Sequence, residues 1–275
     1  MRLVWQFAAV AAVALIGSQA VAATGGNPWA TCVLGVLTAA LAVAVYRWVV
    51  RRTERRTPAE VAGKGAAAAT GWGTLGGVAL FAAVIAAIAL CGGYEVTGFG
   101  SVPGAVGLVG LMAAAAVTEE LLFRGILFRI AEERLGTWLA LVLTSVPFGL
   151  IHLVNPHADL WGALAVAIEA GGMLTAAYAA TRNLWVPIGL HFGWNFAASG
   201  LFSTEVSGND TPQGLLDAVT SGPVLLTGGD FGPEGSLFAV LFCVLATVGF
   251  VVLARRRGRL APRRRRDAAA TTLPR

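Results

Sequence analysis

Long apolar stretches alternate with short polar segments along most of the chain. Inside a lipid bilayer every backbone N–H and C=O group must find its partner within the spanning segment. A long apolar stretch therefore predicts a helix, and about 20 helical residues cross the hydrocarbon core. Eight stretches approach this length: 3–23, 30–50, 72–91, 104–128, 137–153, 161–180, 184–202 and 236–254. The pattern predicts an all-α fold, a polytopic transmembrane helix bundle with about eight spans.

The first apolar stretch has two interpretations. Arg2, the apolar residues 3–16 and the small residues 20–23 also resemble a secretory signal peptide. Trp5, Gln6 and the length of the stretch favour a helix that is retained as a span. Cleavage would leave the topology of the other spans unchanged.

Composition agrees with a lipid environment, because 56% of the residues are hydrophobic, only 13% are charged and the mean hydropathy is +0.72. A soluble domain of this size needs more charge to cover its surface. The net charge of +5 and the pI of 9.7 are compatible with nucleic-acid binding in principle. The positions of the basic residues argue against it, so we expect membrane lipids as partners and no nucleic acid. The predicted location is the cell membrane, with multiple passes.

Lysine and arginine occupy one alternating set of the connecting segments and the adjoining span ends, and only Arg124 lies deep inside a span. The basic residues are Arg2, the 47–56 cluster with Lys64, Arg129 and Arg134, Arg182, and those from Arg255 onward. The intervening segments, at about 24–29, 92–103, 154–160 and 203–235, contain no Lys or Arg. Because cytoplasmic loops carry the excess of Lys and Arg, both termini are predicted to be cytoplasmic.

Two polar segments outside the spans have a distinct composition. Residues 203–235 are acidic and rich in Gly, Pro, Ser and Thr, and we expect a solvated, partly irregular loop that is not a second domain. The basic tail has two interpretations: it binds anionic lipid head groups, or it anchors the last span and ends in disorder.

Ionisable side chains inside the spans are costly, at roughly 2.5 to 3.5 kcal/mol each on insertion scales, so each needs a partner or a purpose. In the fourth span Glu120 and Arg124 are four residues apart and share a helix face, where each neutralises the other. Glu119 points about 140° away from Arg124. This geometry predicts a structural Glu120–Arg124 pair and leaves Glu119 free to face a cavity as a reactive carboxylate.

Two further pairs have the same spacing. Phe148 and His152 lie in the fifth span, and His191 and Asn195 lie in the seventh, where both side chains offer hydrogen-bond donors for a developing oxyanion. Measured along their helices from the cytoplasmic ends, Glu119 and His191 lie at about 15 and 10 Å, but His152 lies at about 22 Å. His152 is therefore the poorest fit to a common depth.

Two other residues stand apart from these pairs. Glu169, near the middle of the sixth span, is interpreted either as lining a cavity or as making a polar contact between helices. His157, beside Pro156 and Asp159 in an outer loop, is interpreted as a surface residue.

The three pairs form the motifs EExxxR, FxxxH and HxxxN. In this order and at this spacing they resemble those of the CAAX prenyl endopeptidase and bacteriocin-processing family, the CPBP or Abi intramembrane proteases. The resemblance runs from about 102 to 201 and includes the phrase NLWVPI at 183–188.

The resemblance implies an eight-helix intramembrane endopeptidase with a cavity open to the cytoplasm. In the family's proposed mechanism the residues matching Glu119 and His152 activate water, and those matching His191 and Asn195 hold the tetrahedral oxyanion. The supporting residues would be Glu120, Arg124 and Phe148. The chain then divides into N-terminal spans (1–100), the catalytic core (101–203), the acidic extracytoplasmic loop (204–235), and the last span with its basic cytoplasmic tail (236–275).

Several alternatives remain open at this point. Glu119, His152 and His191 would form a reasonable ligand set for Zn²⁺, but the same residues suffice for metal-free catalysis, which we favour. The leading function is hydrolysis of a peptide bond in a membrane-associated peptide or protein. The alternative is a catalytically silent scaffold or bacteriocin-immunity protein that binds a peptide at the same cluster. A proton-coupled transporter is less favoured, because we find no convincing internal repeat.

Overall fold

The structure, a computed structural model, describes residues 1–263 and is almost entirely helical. Its α-helices are α1 (Arg2–Ala22), α2 (Pro28–Glu54), α3 (Ala66–Leu90), α4 (Val102–Glu120), α5 (Arg129–Leu150), α6 (Leu160–Val166), α7 (Thr175–Thr181), α8 (Trp185–Asn195), α9 (Val224–Thr227) and α10 (Leu237–Arg256). Two short strands, β1 (Tyr94–Phe99) and β2 (Leu216–Thr220), form an antiparallel pair. All-α is therefore confirmed as the fold class.

Wide π-helical turns continue several of these helices. Leu121–Phe128 joins α4 to α5, Ala167–Leu174 joins α6 to α7, and Phe196–Leu201 extends α8. Helix α5 ends in a 3₁₀ turn, Ile151–Val154. Such π-helical turns are frequent at functional sites, and here they lie in the helices that carry the three motifs or Glu169.

Each of the eight predicted spans coincides with a helical segment. Within residues 1–263, six helical stretches are long and apolar enough to cross a membrane, and one of them, Val102–Val154, contains both the fourth and the fifth predicted spans. These two spans separate at Gly136, whose φ of 74° is not helical. The seventh predicted span corresponds to the helical stretch 185–201, which is outside the six. The chain is a multi-pass membrane protein, while the exact number of spans and the side of the termini stay predictions.

Local sequence explains where several helices begin. The side chains of Asn27, Ser101 and Ser236 each accept a hydrogen bond from a backbone N–H in the first turn of the helix that follows. Proline occupies one of the first two positions of α2 and of α4. A capping oxygen satisfies an N–H group that has no partner within the helix, and proline has no such group to lose.

Close packing of α3 against α8 fixes the position of the helix that carries His191. A Cβ atom on Gly77 would lie 2.2 Å from the carbonyl oxygen of Leu190, and one on Gly193 would lie 2.2 Å from that of Thr74. Gly73 and Gly189 are equally close to the opposing backbone. Both helices therefore present a small-xxx-small pair, which lets transmembrane backbones approach closely.

The first two helices, which lie outside the resemblance, cover one side of this core. Val10 of α1 and Ala42 of α2 are buried in a cluster that also contains Val117 and Leu121 of the fourth span. The hydroxyl of Tyr46 contacts the carbonyl oxygen of Gly125 at 3.0 Å. Helices α1 and α2 thus support the back of the segment that carries the EExxxR motif.

The acidic segment 203–235 folds onto the bundle, so the expectation of a solvated loop is wrong for much of it. Strand β2 pairs with β1, and Phe231 and Glu234 are buried. Glu234 receives hydrogen bonds from the indole N–H of Trp194 and from the hydroxyl of Ser207, both at 2.7 Å. These donors satisfy the buried carboxylate, which composition alone does not reveal.

The start of the basic tail also packs on the bundle. The side chains of Arg257 and Arg259 donate to the carbonyl oxygen of Ala180, and the backbone of Ala261 pairs with that of Thr137. Residues 264–266, the rest of the arginine cluster, lie outside the described residues, so both interpretations of the tail stay predictions.

Candidate active site

A cavity of about 260 Å³ lies between α4, the α6–α7 segment, α8 and the 203–235 segment. Its walls are mostly apolar side chains, such as Leu111, Met112 and Met173. Six residues singled out from the sequence line it: Glu119, Phe148, His152, Glu169, His191 and Asn195. The structure therefore brings the members of all three motifs to one space. The interpretation of Glu169 as a cavity-lining residue agrees with its place there.

The two glutamates of the first motif have different surroundings. Glu120 is fully buried and pairs with Arg124, with 2.6 Å between Oε1 and Nη1. The predicted ion pair is therefore present. Glu119 retains 27% of its side-chain exposure and faces the cavity. One of its oxygens, Oε2, has no hydrogen-bond partner among the described residues.

Arg124 joins several parts of the site although it does not line the cavity. Its guanidinium donates to the hydroxyl of Thr175 at 3.2 Å and to the carbonyl oxygen of Ala170. It also lies 4.4 Å from the centre of the Phe148 ring, a cation–π distance. A buried guanidinium with this many partners fixes α4, α5 and the α6–α7 segment relative to one another.

His191 lies between the two glutamates. Its Nδ1 is 3.0 Å from Oε1 of Glu120, a hydrogen bond, and its Nε2 is 3.8 Å from Oε2 of Glu119. Glu120 Oε1 thus contacts both Arg124 and His191, so its role is wider than the pair predicted from helix geometry. The bond through Nδ1 orients the ring and turns Nε2 toward Glu119.

His152 reaches the cavity from the 3₁₀ turn after α5. Its Nδ1 lies 2.7 Å from the carbonyl oxygen of Phe148, which can only accept, so Nδ1 carries the proton. The Phe148 ring lies 5.2 Å from the His152 ring and 6.2 Å from the His191 ring. Phe148 therefore packs against both imidazoles. The sequence predicted a depth for His152 that differs from those of Glu119 and His191, yet His152 lines the shared cavity.

Two polar side chains on the cavity wall are without partners in the described part of the chain. The carboxamide of Asn195, 8% exposed, makes no side-chain hydrogen bond to residues 1–263. Glu169, 2% exposed, has an oxygen, Oε1, that is buried without a partner there. Both groups are available to a bound molecule.

The cavity extends toward the end of the bundle that lacks Lys and Arg. The lining residues of α4 run from Leu111 to Glu119, on the side of Glu119 that leads to the start of the helix. Asn209 and Asp210, both exposed, also line the cavity and belong to the 203–235 segment. The charge distribution predicts that this segment lies outside the cell, whereas the resemblance implies an opening to the cytoplasm. The structure joins the cavity to the 203–235 segment, so these two expectations are incompatible.

Sequence reasoning missed several residues at this end of the cavity, among them Trp194, Ser207 and Glu234. Trp194 lies within the HxxxN motif, next to Asn195, and this position was the available signal. Glu234 is 39 residues downstream of Asn195 in the acidic segment, and nothing in its local pattern distinguishes it from the other acids there.

A metal site does not fit the described side chains. Within residues 1–263 no three His, Cys, Asp or Glu side chains are placed to hold one ion together. Glu119, His152 and His191, the alternative ligand set, therefore do not form a ready metal centre. Whether the chemistry is metal-free stays a prediction.

His157 lies at the surface, as predicted, close to the exposed end of the cavity. Its Nε2 is 2.8 Å from Oδ1 of Asp210, and its backbone N–H donates to the carbonyl oxygen of Gly208. The hydrogen bond to Asp210 raises the pKa of His157. This pair links the loop after α5 to the 203–235 segment.

Comparison with known proteins agrees with the motifs. Residues 101–197 match the family model described as Rce1-like, type II CAAX prenyl endopeptidase. The Bacillus subtilis (strain 168) protein named "Putative membrane peptidase YdiL" is 33% identical over 79 residues. Over this region the chain is therefore similar to members of the CPBP family.

The CPBP match covers only part of the molecule. The aligned stretch is 29% of this chain and 30% of the Bacillus relative. The match to the Rce1-like model begins after β1 and ends within the π-helical end of α8. Helices α1 to α3, the 203–235 segment and α10 lie outside it. No solved structure matches the chain.

Proposed function

We propose that this chain is an intramembrane endopeptidase that hydrolyses a peptide bond in a membrane-associated peptide or protein. The observation that carries the proposal is that Glu119, His152, His191 and Asn195, from three separate helical segments, line one cavity. Ionisable groups are rare inside membrane proteins and mark functional sites. The family match supports the same class of reaction.

Glu119 and His152 are suited to activating water. Because Nδ1 of His152 holds its proton against the Phe148 carbonyl, its Nε2 is free to accept one, and Glu119 offers an oxygen without a partner. The water donates a hydrogen bond to each of these residues, and as its oxygen bonds to the carbonyl carbon of the substrate, one of its two protons passes to one of them. The same residues return the proton to the leaving nitrogen as the C–N bond breaks, which yields a carboxylic acid and an amine.

His191 and Asn195 are suited to binding the oxyanion. The free carboxamide N–H₂ of Asn195 is one donor, and Nε2 of His191 is the other when the ring is protonated on both nitrogens. Such an imidazolium is balanced by Glu119 and Glu120, which lie on either side of it. Donors fixed in a dry cavity stabilise developing negative charge without reorganisation.

Replacing the water-activating residues tests this proposal. The native chain, Glu119→Gln and His152→Asn are expressed in separate cultures, and their membrane proteomes are compared for a precursor that accumulates only with the variants. The precursor is then added to purified protein in nanodiscs. We expect cleavage by the native chain and a rate at least about 100-fold lower in each variant, the usual loss for a general acid or base.

Glu95→Gln serves as the matched control, since it removes an exposed carboxylate of β1 that does not line the cavity. Its rate should equal that of the native chain. Retained cleavage in folded Glu119→Gln or His152→Asn would refute the mechanism. Binding of the precursor by the native chain with no product formed would instead favour the scaffold or immunity role.

A further inference from the structure

Glu169 is a buried ionisable residue of the cavity that the proposed reaction does not use. It lies in the π-helical turns between α6 and α7, outside the three motifs. It lines the cavity and is 2% exposed, and within residues 1–263 its side chain has neither a hydrogen bond nor an ion pair. A buried carboxylate at membrane depth without a partner is costly.

The cavity wall supplies no cation for Glu169. Among its described lining residues there is no Lys or Arg, and the only groups able to become positive are His152 and His191. His191 is already engaged by Glu120. The neighbouring Glu234 has both oxygens hydrogen-bonded, to Trp194 and Ser207, so it offers Glu169 no donor.

The shape of the cavity indicates which cation fits. Val166, Met173 and Leu174 line the wall around Glu169, and apolar walls of this kind accommodate the aliphatic stem of a long basic side chain. Asp210, at the exposed end of the cavity, and Glu234, close to Glu169, add negative charge along the route inward. A cation that enters from the exposed end is attracted by these carboxylates along the whole route to Glu169.

We propose that Glu169 is a specificity residue that binds a Lys or Arg side chain of the substrate. The inference rests on the proposed function, because it names the substrate class of the same cavity. Glu169 takes no part in bond cleavage. It positions the peptide by an ion pair formed only when the basic side chain enters.

A binding selection tests the subsite without requiring cleavage. Randomised heptapeptides that include norleucine and citrulline are offered to His152→Asn in nanodiscs, and the bound peptides are sequenced by mass spectrometry. We expect the bound peptides to contain Lys about tenfold or more often than norleucine, or Arg about tenfold or more often than citrulline. A hydrogen bond to a charged group provides a free energy that corresponds to such a ratio. The enrichment should disappear in His152→Asn/Glu169→Gln and persist in His152→Asn/Glu95→Gln.

Absence of enrichment in His152→Asn overturns the proposal, and this arm needs no substitution at Glu169. Enrichment that persists in the Glu169→Gln double variant overturns it as well. The selected peptides are then given to the native chain. Basic peptides that bind through Glu169 but are not cleaved leave the subsite standing and refute the endopeptidase function. Cleavage by the native chain with no preference for basic residues would refute the Glu169 subsite and leave the endopeptidase function standing.

Discussion

Glu120 is the residue through which the buried charges of the site are connected. A single oxygen, Oε1, contacts both the guanidinium of Arg124 and the imidazole of His191. The i, i+4 spacing predicted the contact with Arg124, since it depends only on helix geometry. The contact with His191 depends on how α8 packs against α4 and could not be read from the sequence.

Removing Arg124 should destabilise the fold. Arg124→Met leaves Glu120 buried with its strongest partner lost, and breaking a buried ion pair in this way costs about 3 to 5 kcal/mol. Unfolding of the purified protein in detergent measures the loss. The double variant Glu120→Gln/Arg124→Met removes both charges and should recover part of the stability. A loss below about 1 kcal/mol in the single variant would contradict this view.

The link between His157 and Asp210 should depend on pH. Because Asp210 raises the pKa of His157 above its ordinary value of about 6.5, the link contributes stability below that value and loses it as pH rises through the raised pKa. Nuclear magnetic resonance titration of the three histidine rings should show the raised pKa. In Asp210→Asn the pKa of His157 should return to the ordinary range. An unchanged pKa would contradict the claim that Asp210 raises it.

At the scale of helices and strands, the apolar stretches predicted where the helices lie. They did not predict the π-helical turns, because a wide turn and an α-helical turn need the same apolar side chains in lipid. They also missed β1 and β2, which lie in polar connections and form only when residues 94–99 and 216–220 meet. The small-xxx-small pairs of α3 and α8 were visible in the sequence, but their facing arrangement was not.

Packing of α3 against α8 should be sensitive to a single methyl group. Gly77→Ala places Cβ 2.2 Å from a carbonyl oxygen of α8, so the helices must separate and His191 must move. We expect lower thermal stability in detergent and slower cleavage. Gly71→Ala on the same helix is the control, because a Cβ there meets nothing within 4 Å. Equal behaviour of the two variants would show that the close approach is unimportant.

At the scale of the whole molecule, the orientation decides from which side a substrate reaches the cavity. Cys91 is exposed at the end of α3 that adjoins β1, and Arg52 is exposed at the opposite end of the bundle. With Cys32 and Cys243 replaced by alanine, a membrane-impermeant maleimide should label Cys91 in intact cells. With Cys91 also replaced, Arg52→Cys should be labelled only after permeabilisation. The reverse pattern would place the cavity opening on the cytoplasmic side.

Several contacts fasten the 203–235 segment to the bundle. Among them, β2 pairs with β1, Glu234 binds Trp194, and the carbonyl oxygen of Ser207 accepts a hydrogen bond from Asn155. The space beneath it, about 260 Å³, is smaller than the roughly 300 to 1,000 Å³ typical of small-molecule pockets. Only a few residues of an extended chain fit there. For the proposed endopeptidase, a folded target would therefore have to unravel locally before cleavage, and its own conformational stability would enter the turnover rate.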